Sequence, residues 1–262
     1  MSALPEDGPR ERILATATRL FAERGYDATS TRAIGDAVGL NIATVAYHVG
    51  AKPELYREVM RRAHLAQREV VTEALVRLHA CGPTPAETRA ALLAFVDDYL
   101  SFCLNHPEVP ALWMRRWLAE GADHSDVETE FAGPLLAEVA TAVRSVLDRS
   151  GLGPGTDVEM LVFTIVWTSH SFGRAGVIDP DGTRRGPLDL PVLDRFRRHL
   201  HTVVTAVGVP VCGPSGSVVC SIGCSMPGEP EVEDLERTLD ALWSEGSDLS
   251  LLIGGVVPAT KP

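Results

Sequence analysis

The sequence predicts an all-α fold, and three observations carry that prediction. Apolar residues recur at helical spacing in nine successive segments before residue 208. Each segment is bounded by Gly, Pro, Asn or Asp, and no run before residue 208 alternates apolar and polar residues as a half-buried strand would. The composition of the 262 residues agrees, with 45% hydrophobic and 23% charged side chains and no repeat of fixed period. These are ordinary globular values, and the length suits one large or two small domains.

Taken in order, Ile13, Leu14, Ala17, Leu20 and Phe21 follow i, i+1, i+4, i+7, i+8 spacing, which predicts a helix over 10–24 that Gly25 stops. Residues 1–9, with acids and prolines, read as a flexible start in which an export signal would need a basic beginning and an apolar stretch. A short helix over 31–37 follows, with the Ser30 and Thr31 hydroxyls available to cap it, and Gly39 ends it. A third helix begins at Asn41 or Ile42 and reaches His48, and Gly50 breaks it. Pro53 then sits in the first turn of a long helix that runs to residue 80. Beyond Gly82-Pro83, helices are predicted over 85–105, 110–120, 126–149, 157–173 and 191–207.

The informative stretch is Thr29 to Tyr56, TSTRAIGDAVGLNIATVAYHVGAKPELY. Two short helices joined by Gly39-Leu40-Asn41 describe a helix-turn-helix, whose second helix enters the major groove of DNA. Ile34, Val38, Ile42, Val45 and Val49 supply an inner face that can pack on Leu14, Phe21 and Leu55. Thr44, Tyr47 and His48 then share an outer face at i, i+3, i+4 spacing. Their side chains can hydrogen-bond phosphates, reach base edges or meet thymine methyls.

This stretch resembles the tetracycline-repressor (TetR) family of bacterial transcriptional regulators. The residues that carry the resemblance are Thr29 or Thr31, Ile34-Gly35, Ala37-Val38-Gly39-Leu40-Asn41, Thr44, Tyr47, His48, Lys52 and Leu55-Tyr56, preceded by a matching LFAERGYDATS. Three positions depart from the family pattern: Ala46 stands where many members have Tyr, Val49 replaces Phe, and Asn41 replaces Ser. The resemblance implies that Thr31 and Arg32 touch phosphates, that Asn41, Ala43, Thr44, Tyr47 and His48 lie at or in the groove, and that Lys52 meets a phosphate at a helix N-terminus. Plainer roles stay open, with Tyr47 covering the domain surface and His48 capping its helix. The domain plan is thus a DNA-binding domain over 10–55, a helical effector-binding and dimerisation domain over 56–208, and an acidic extension over 209–262.

A formal charge of -11 argues, taken whole, against a polyanion partner. By segment it says otherwise. Residues 1–68 carry 10 basic and 8 acidic side chains, whereas 69–208 carry 12 and 19 and the tail carries 2 and 8. A slightly basic reading head on an acidic body disfavours non-specific DNA binding while Arg32 and Lys52 act at contact range.

The segment Met160 to Phe172 is apolar on nearly every face, and Leu193, Phe196, Leu200, Val203 and Val207 repeat along the last helix. Together they can form an intersubunit four-helix bundle, as the resembled family's last two helices do. A homodimer would place two heads on a palindromic operator. The alternative is an internal core alone. The middle helices gather Phe95, Tyr99, Phe102, Trp113, Met114, Trp117, Phe131, Phe163, Trp167 and His170 with no catalytic constellation, which suggests a pocket for an unknown hydrophobic effector. The resemblance implies release from DNA when that effector binds.

The tail carries Cys212, Cys220 and Cys224 without a histidine, too few ligands for a zinc signature yet enough thiols for soft-metal or redox sensing. Val232, Leu235, Leu239 and Leu242 predict one short acidic helix there, and Leu249 to Val257 is apolar. No cofactor motif, metal signature or nucleophile–base pair at motif spacing is present, so no enzyme is expected. No membrane span is expected, and the odd count of five cysteines fits a reducing cytoplasm. The function that follows is a ligand-responsive transcriptional repressor. Its alternatives are a helical ligand-binding or interaction protein with weakened DNA binding, and a thiol-based sensor working through the tail.

Overall fold

The computed structural model describes residues 8–118, 126–153 and 155–206, together with the backbone of 211–212 and 218–220. The helices are α1 (Pro9–Arg24), α2 (Thr31–Val38), α3 (Ile42–Val49), α4 (Lys52–Ala80), α5 (Pro85–Asn105), α6 (Glu108–Trp117), α7 (Gly133–Ser150), α8 (Val158–Ala175) and α9 (Leu190–Thr205). Local chemistry sets their starts. Ser30 Oγ accepts from the Ala33 amide, Asn41 Oδ1 from Thr44, Asp157 Oδ1 from Met160 and Asp189 Oδ1 from Val192. Thr84 and Glu87 form a reciprocal capping box at α5. Proline sits in the first turn of α1, α4, α5 and α9, where a missing N–H costs nothing.

Two features depart from the sequence expectation. The helix expected over 126–149 opens instead with a π-helical turn, Glu128–Ala132, in which the Gly133 amide bonds back to the Glu128 carbonyl. Pro134 has no N–H to continue an α-type ladder, and the wider turn accommodates that gap. Between α8 and α9 lies a short antiparallel ladder, β1 (Val177–Ile178) on β2 (Arg184–Arg185), too brief to leave an alternating pattern. A second ladder pairs β3 (Val211–Cys212) with β4 (Val218–Cys220). The thiols of Cys212, Cys220 and Cys224, the tail helix of Val232 to Leu242 and the apolar run Leu249 to Val257 lie outside the described residues, as do residues 1–7 and Val207.

The described helices belong to one unit, Met1–Gly223. Helix α1 packs on α2, α3, α4 and α6, while α4 continues past the head to pack on α5 and α7. Helix α5 is the centre of the body, covered by α4, α7, α8 and α9. The buried set runs without a break from Ile13, Phe21 and Ile34 in the head through Leu55 and Met60 to Leu100, Leu112 and Leu200.

An ion-pair network ties α1 to α4. Arg62 grips both carboxylate oxygens of Glu11 at 2.6 and 2.8 Å, and Glu58 accepts from Arg61 at 2.7 Å and from Arg62 at 3.2 Å. The hydrogen bond from Arg61 outweighs burial, and with Arg62 it holds the Glu58 carboxyl down to about 2. Because the folded value lies below the unfolded one, this stabilisation is present above pH 4.5 and is lost as pH falls toward 2. Glu58→Gln is expected to lower the thermal midpoint at pH 7 and to flatten the loss of stability between pH 4.5 and pH 2. An unchanged acid profile by circular dichroism would remove Glu58 from the linkage.

Candidate functional site

The reading head is built around a tight junction between α2 and α3. Gly39 ends α2 in the left-handed conformation, at φ 73°, which a side chain would strain. The Leu40 amide then bonds back to the Gly35 carbonyl at 2.9 Å. Gly35 itself faces the turn so closely that a Cβ there would stand 2.7 Å from the Leu40 carbonyl oxygen. Buried Thr29 locks the approach to α2 by donating its hydroxyl to the carbonyls of Leu20 and Gly25. Thr29 is thus a structural lock, and Thr31 is the threonine that opens the helix.

Helix α3 turns Val45 fully inward, onto a core that includes Ile34 and Val38. At 100° per residue, Tyr47 and Ala43 lie about 160° away from Val45, and Thr44 and His48 border Tyr47. Ala43 is exposed, Thr44 and His48 are half-buried, and Tyr47 is 85% exposed with its ring edge-on to His48 at 5.2 Å. Asn41 spends its side-chain oxygen on the helix start, accepting from the Thr44 amide at 2.8 Å and from the Thr44 hydroxyl at 3.0 Å. Thr31 is half-buried and Arg32 exposed at the start of α2. Ile42, expected on the inner face, is 50% exposed: it lies about 60° around the helix from Val45 but is the first residue of α3, at the open end of the packed face.

Behind this face, Phe21, Tyr26 and Tyr56 form a three-ring cluster with centroids 4.9 to 6.0 Å apart. Lys52, the first residue of α4, lies with its Nζ 4.1 Å from the Tyr26 ring centroid, a cation–π contact that holds the ammonium near the head. Arg12 donates to the Val38 carbonyl at 2.8 Å and so closes the end of α2. Arg115 of α6 donates to the Ala22 and Glu23 carbonyls at 3.0 and 2.6 Å, joining the last turn of α1 to the body. Cations at a helix C-terminus offset its partial negative charge.

In the body, α4, α5, α7, α8 and the end of α9 enclose a narrow apolar cavity whose empty space, mouth included, is about 610 Å³. Val71, Leu92, Val96, Val139 and Ile165 are among its aliphatic walls, and Gln67 and Tyr99 are the polar side chains that line it. Gln67 Nε2 donates to the Tyr99 hydroxyl at 2.9 Å, and that hydroxyl also meets His170 Nε2 at 2.7 Å. Burial pushes His170 down to about 4 and raises Tyr99 well above its ordinary value, so both are neutral at physiological pH.

Of the nine aromatic and histidine positions expected at an effector site, Phe95 and Tyr99 line this cavity. Five of the others form a column of stacked rings that reaches Tyr99. Phe163 stacks on Trp167, Trp167 on Trp117, Trp117 on His170 and His170 on Tyr99, with centroids 5.4 to 5.9 Å apart, and Phe102 follows. Trp113 is buried and stacks on Trp117, while Phe131 stacks on His64 at the π-helical turn. The column crosses from the exposed side of α8 to the polar end of the cavity. The residues that sequence reasoning missed are the aliphatic walls and Gln67. Their only signal, apolar residues at helical spacing, is the one any core position gives.

The family model described as bacterial regulatory proteins, tetR family, matches residues 13–59, which span most of α1 through the start of α4. The transcriptional repressor AcnR of Corynebacterium efficiens is 33% identical over 184 residues, covering 64% of this chain and 97% of that protein. The chain belongs to the tetR family. The tetR-family repressor KstR2 of Rhodococcus jostii is 28% identical over 163 residues, 53% of this chain and 80% of that one. The solved structure of the ketosteroid transcriptional regulator KstR2 of Mycobacterium tuberculosis superposes with a TM-score of 0.57 at 18% identity, covering 78% of this chain and 96% of that chain. At that identity the likeness speaks for the tetR fold alone.

This tetR-family chain is a DNA-binding transcriptional regulator, and the family and the structural neighbours are regulators rather than enzymes. Among the described residues, no three His, Cys, Asp or Glu side chains gather to hold a metal ion, and no helix is long and apolar enough to cross a membrane.

Proposed function

We propose that this regulator is a cytoplasmic, ligand-responsive repressor that binds a palindromic operator as a homodimer and leaves it when a small hydrophobic effector enters the body cavity. The observation that carries the DNA half is Tyr47, an aromatic side chain 85% exposed on a helix whose opposite face is fully buried. A large ring held in water has no folding role to explain it and is well placed to meet a base edge or thymine methyl. Ala43, Thr44 and His48 complete the groove face, Thr31, Arg32 and Lys52 take phosphates, and Asn41 contributes mainly by holding the α3 N-terminus. That the relatives AcnR and KstR2 are transcriptional repressors supports the sign of regulation.

Residues 10–55 serve as the head and 56–208 as the body, joined by α4, whose 29 residues span about 44 Å. The same helix carries Lys52 beside the head core and Gln67 and Val71 at the cavity wall. A ligand that separates α4 from α5 or α7 therefore moves the head directly, and a twofold reader tolerates little change in head spacing. Arg115, bonded to the end of α1, offers a second mechanical link.

Selection of random duplex DNA by the full chain, followed by sequencing, is expected to enrich a palindrome, and an unenriched pool would exclude the operator-binding reading. On the selected site, Tyr47→Ala is expected to cost about 1–3 kcal/mol of affinity and relax preference at its base pair. Lys52→Ala is expected to weaken binding uniformly and reduce the salt slope by about 1. Gel shifts at matched salt check both, and unchanged affinity would remove the residue from the contact surface.

A further inference from the structure

The reading of the cavity as an effector site leaves the chemical class of its ligand open, and the polar end of the cavity narrows it. We propose that the cavity takes an uncharged, slender aliphatic molecule bearing one carbonyl or hydroxyl oxygen, which the Tyr99 hydroxyl recognises as a hydrogen-bond donor. This rests on the effector reading given above.

The assignment follows from counting donors and acceptors around Tyr99. The Gln67 amide nitrogen is a donor only, so it fills one lone pair of the Tyr99 oxygen. The 2.7 Å contact with His170 Nε2 admits two arrangements, and His170 Nδ1, fully buried, has no partner in either. If Tyr99 donates to Nε2, the neutral ring carries its proton on Nδ1 and a buried N–H is left without an acceptor. If Nε2–H donates to Tyr99, Nδ1 is a bare lone pair, and orphan acceptors are tolerated better than orphan N–H donors. In that arrangement both lone pairs of the Tyr99 oxygen are filled and its O–H is released to donate. Cys103 is the nearby protein acceptor for it. Burial pushes the Cys103 thiol up to about 12, so it remains a neutral sulfur and a weak acceptor that a ligand oxygen outcompetes.

The rest of the wall sets the remainder of the class. No Asp, Glu, Lys, Arg or His is among the lining side chains, and His170 behind Tyr99 is neutral. A carboxylate or an ammonium would be stripped of water with no opposite charge to meet it, which is far costlier than burying a hydroxyl. Branched aliphatic side chains from opposing helices keep the space narrow, which suits a single chain better than a broad ring system.

The test uses the full chain with four ten-carbon probes: decan-2-one, decan-1-ol, decanoate and decylammonium at pH 7. Calorimetry and quenching of tryptophan fluorescence, which Trp117 reports through its stack on His170 and Trp167 through its stack on Trp117, are expected to show binding of the ketone and the alcohol at least tenfold tighter than of either ion. Tyr99→Phe is expected to weaken ketone binding about tenfold, the worth of one neutral hydrogen bond. A direct readout is the infrared carbonyl stretch of bound decan-2-one, labelled at the carbonyl carbon. It is expected to fall below its value in hexane in the unaltered protein and to return toward that value in Tyr99→Phe. Decanoate binding as tightly as the ketone, or an unshifted carbonyl stretch in the unaltered protein, would overturn the proposal while leaving the cavity an effector site. Binding of none of the four would overturn both readings.

Discussion

Gly35→Val is expected to reduce operator affinity about 30- to 150-fold while leaving the body helices formed. The glycine lies inside α2, so it is not needed for backbone freedom. It is needed for space. Even a methyl group there would stand 2.7 Å from the Leu40 carbonyl and 3.4 Å from a Val45 methyl, and the carbonyl belongs to backbone that cannot swing aside. Valine adds two further carbons to a site that has no room for one. Overpacking of this kind costs about 1–3 kcal/mol, and here the relief available is to push α3 away from α2. Such a displacement moves Thr44 and Tyr47 relative to Arg32 and Lys52, so base and phosphate contacts cannot be made together. With about 2–3 kcal/mol charged to each bound complex, the loss in affinity follows at roughly tenfold per 1.4 kcal/mol. Gel shift on the selected operator measures it, with far-ultraviolet circular dichroism to confirm helix content. Wild-type affinity would show that the junction relaxes without consequence for reading.

The same junction shows how much was legible in the sequence. The Gly39-Leu40-Asn41 turn and the helices on either side were readable, because punctuation by glycine and capping by asparagine act within a few residues. Tyr47 as an outward residue was readable for the same local reason. The closeness of Gly35 to Leu40 was not, since it depends on how far α2 and α3 interpenetrate once Val45 is buried. The body repeats the lesson on a larger scale. Its helices could be bounded from proline, glycine and aspartate, but the cavity could not be drawn, because Gln67, Val71, Val96, Val139 and Ile165 come from four helices and look like core in each. Choosing large aromatic residues as pocket candidates found Phe95 and Tyr99, and otherwise found the ring column that runs beside the cavity. The π-helical turn before α7 was hidden for a different reason. The helix expected over 126–149 runs straight through Pro134, and apolar spacing alone does not show which hydrogen-bond pattern the turn before it takes.

Phe163→Asp is expected to convert the protein into a monomer at micromolar concentration and to lower operator affinity about 10²- to 10⁴-fold, the gain that linking two heads confers on a twofold site. Helix α8 uses its two sides differently. Val162 and Ile165 face inward to the cavity, whereas Met160 and Phe163 are 54% and 51% exposed and Trp167 is half-buried beside them. A stripe of that size left in water is unfavourable in a monomer and suits a second copy of the same helix. Of the apolar repeat of α9, Leu200 is buried and Phe196 stacks on Phe172 at 3.9 Å, so these two are engaged within the subunit. A carboxylate at 163 stays solvated in a monomer and must be buried, unpaired, in a pairing through α8, so the substitution acts on association rather than on the fold. Light scattering gives the mass, and the thermal midpoint under dilution separates loss of pairing from loss of folding. A dimer that persists in Phe163→Asp would place the subunit contact elsewhere. If the dimer is lost as expected, one helix forms both the ligand's wall and the partner's contact, and a ligand pressing on Val162 and Ile165 changes the spacing of the heads through the interface as well as through α4.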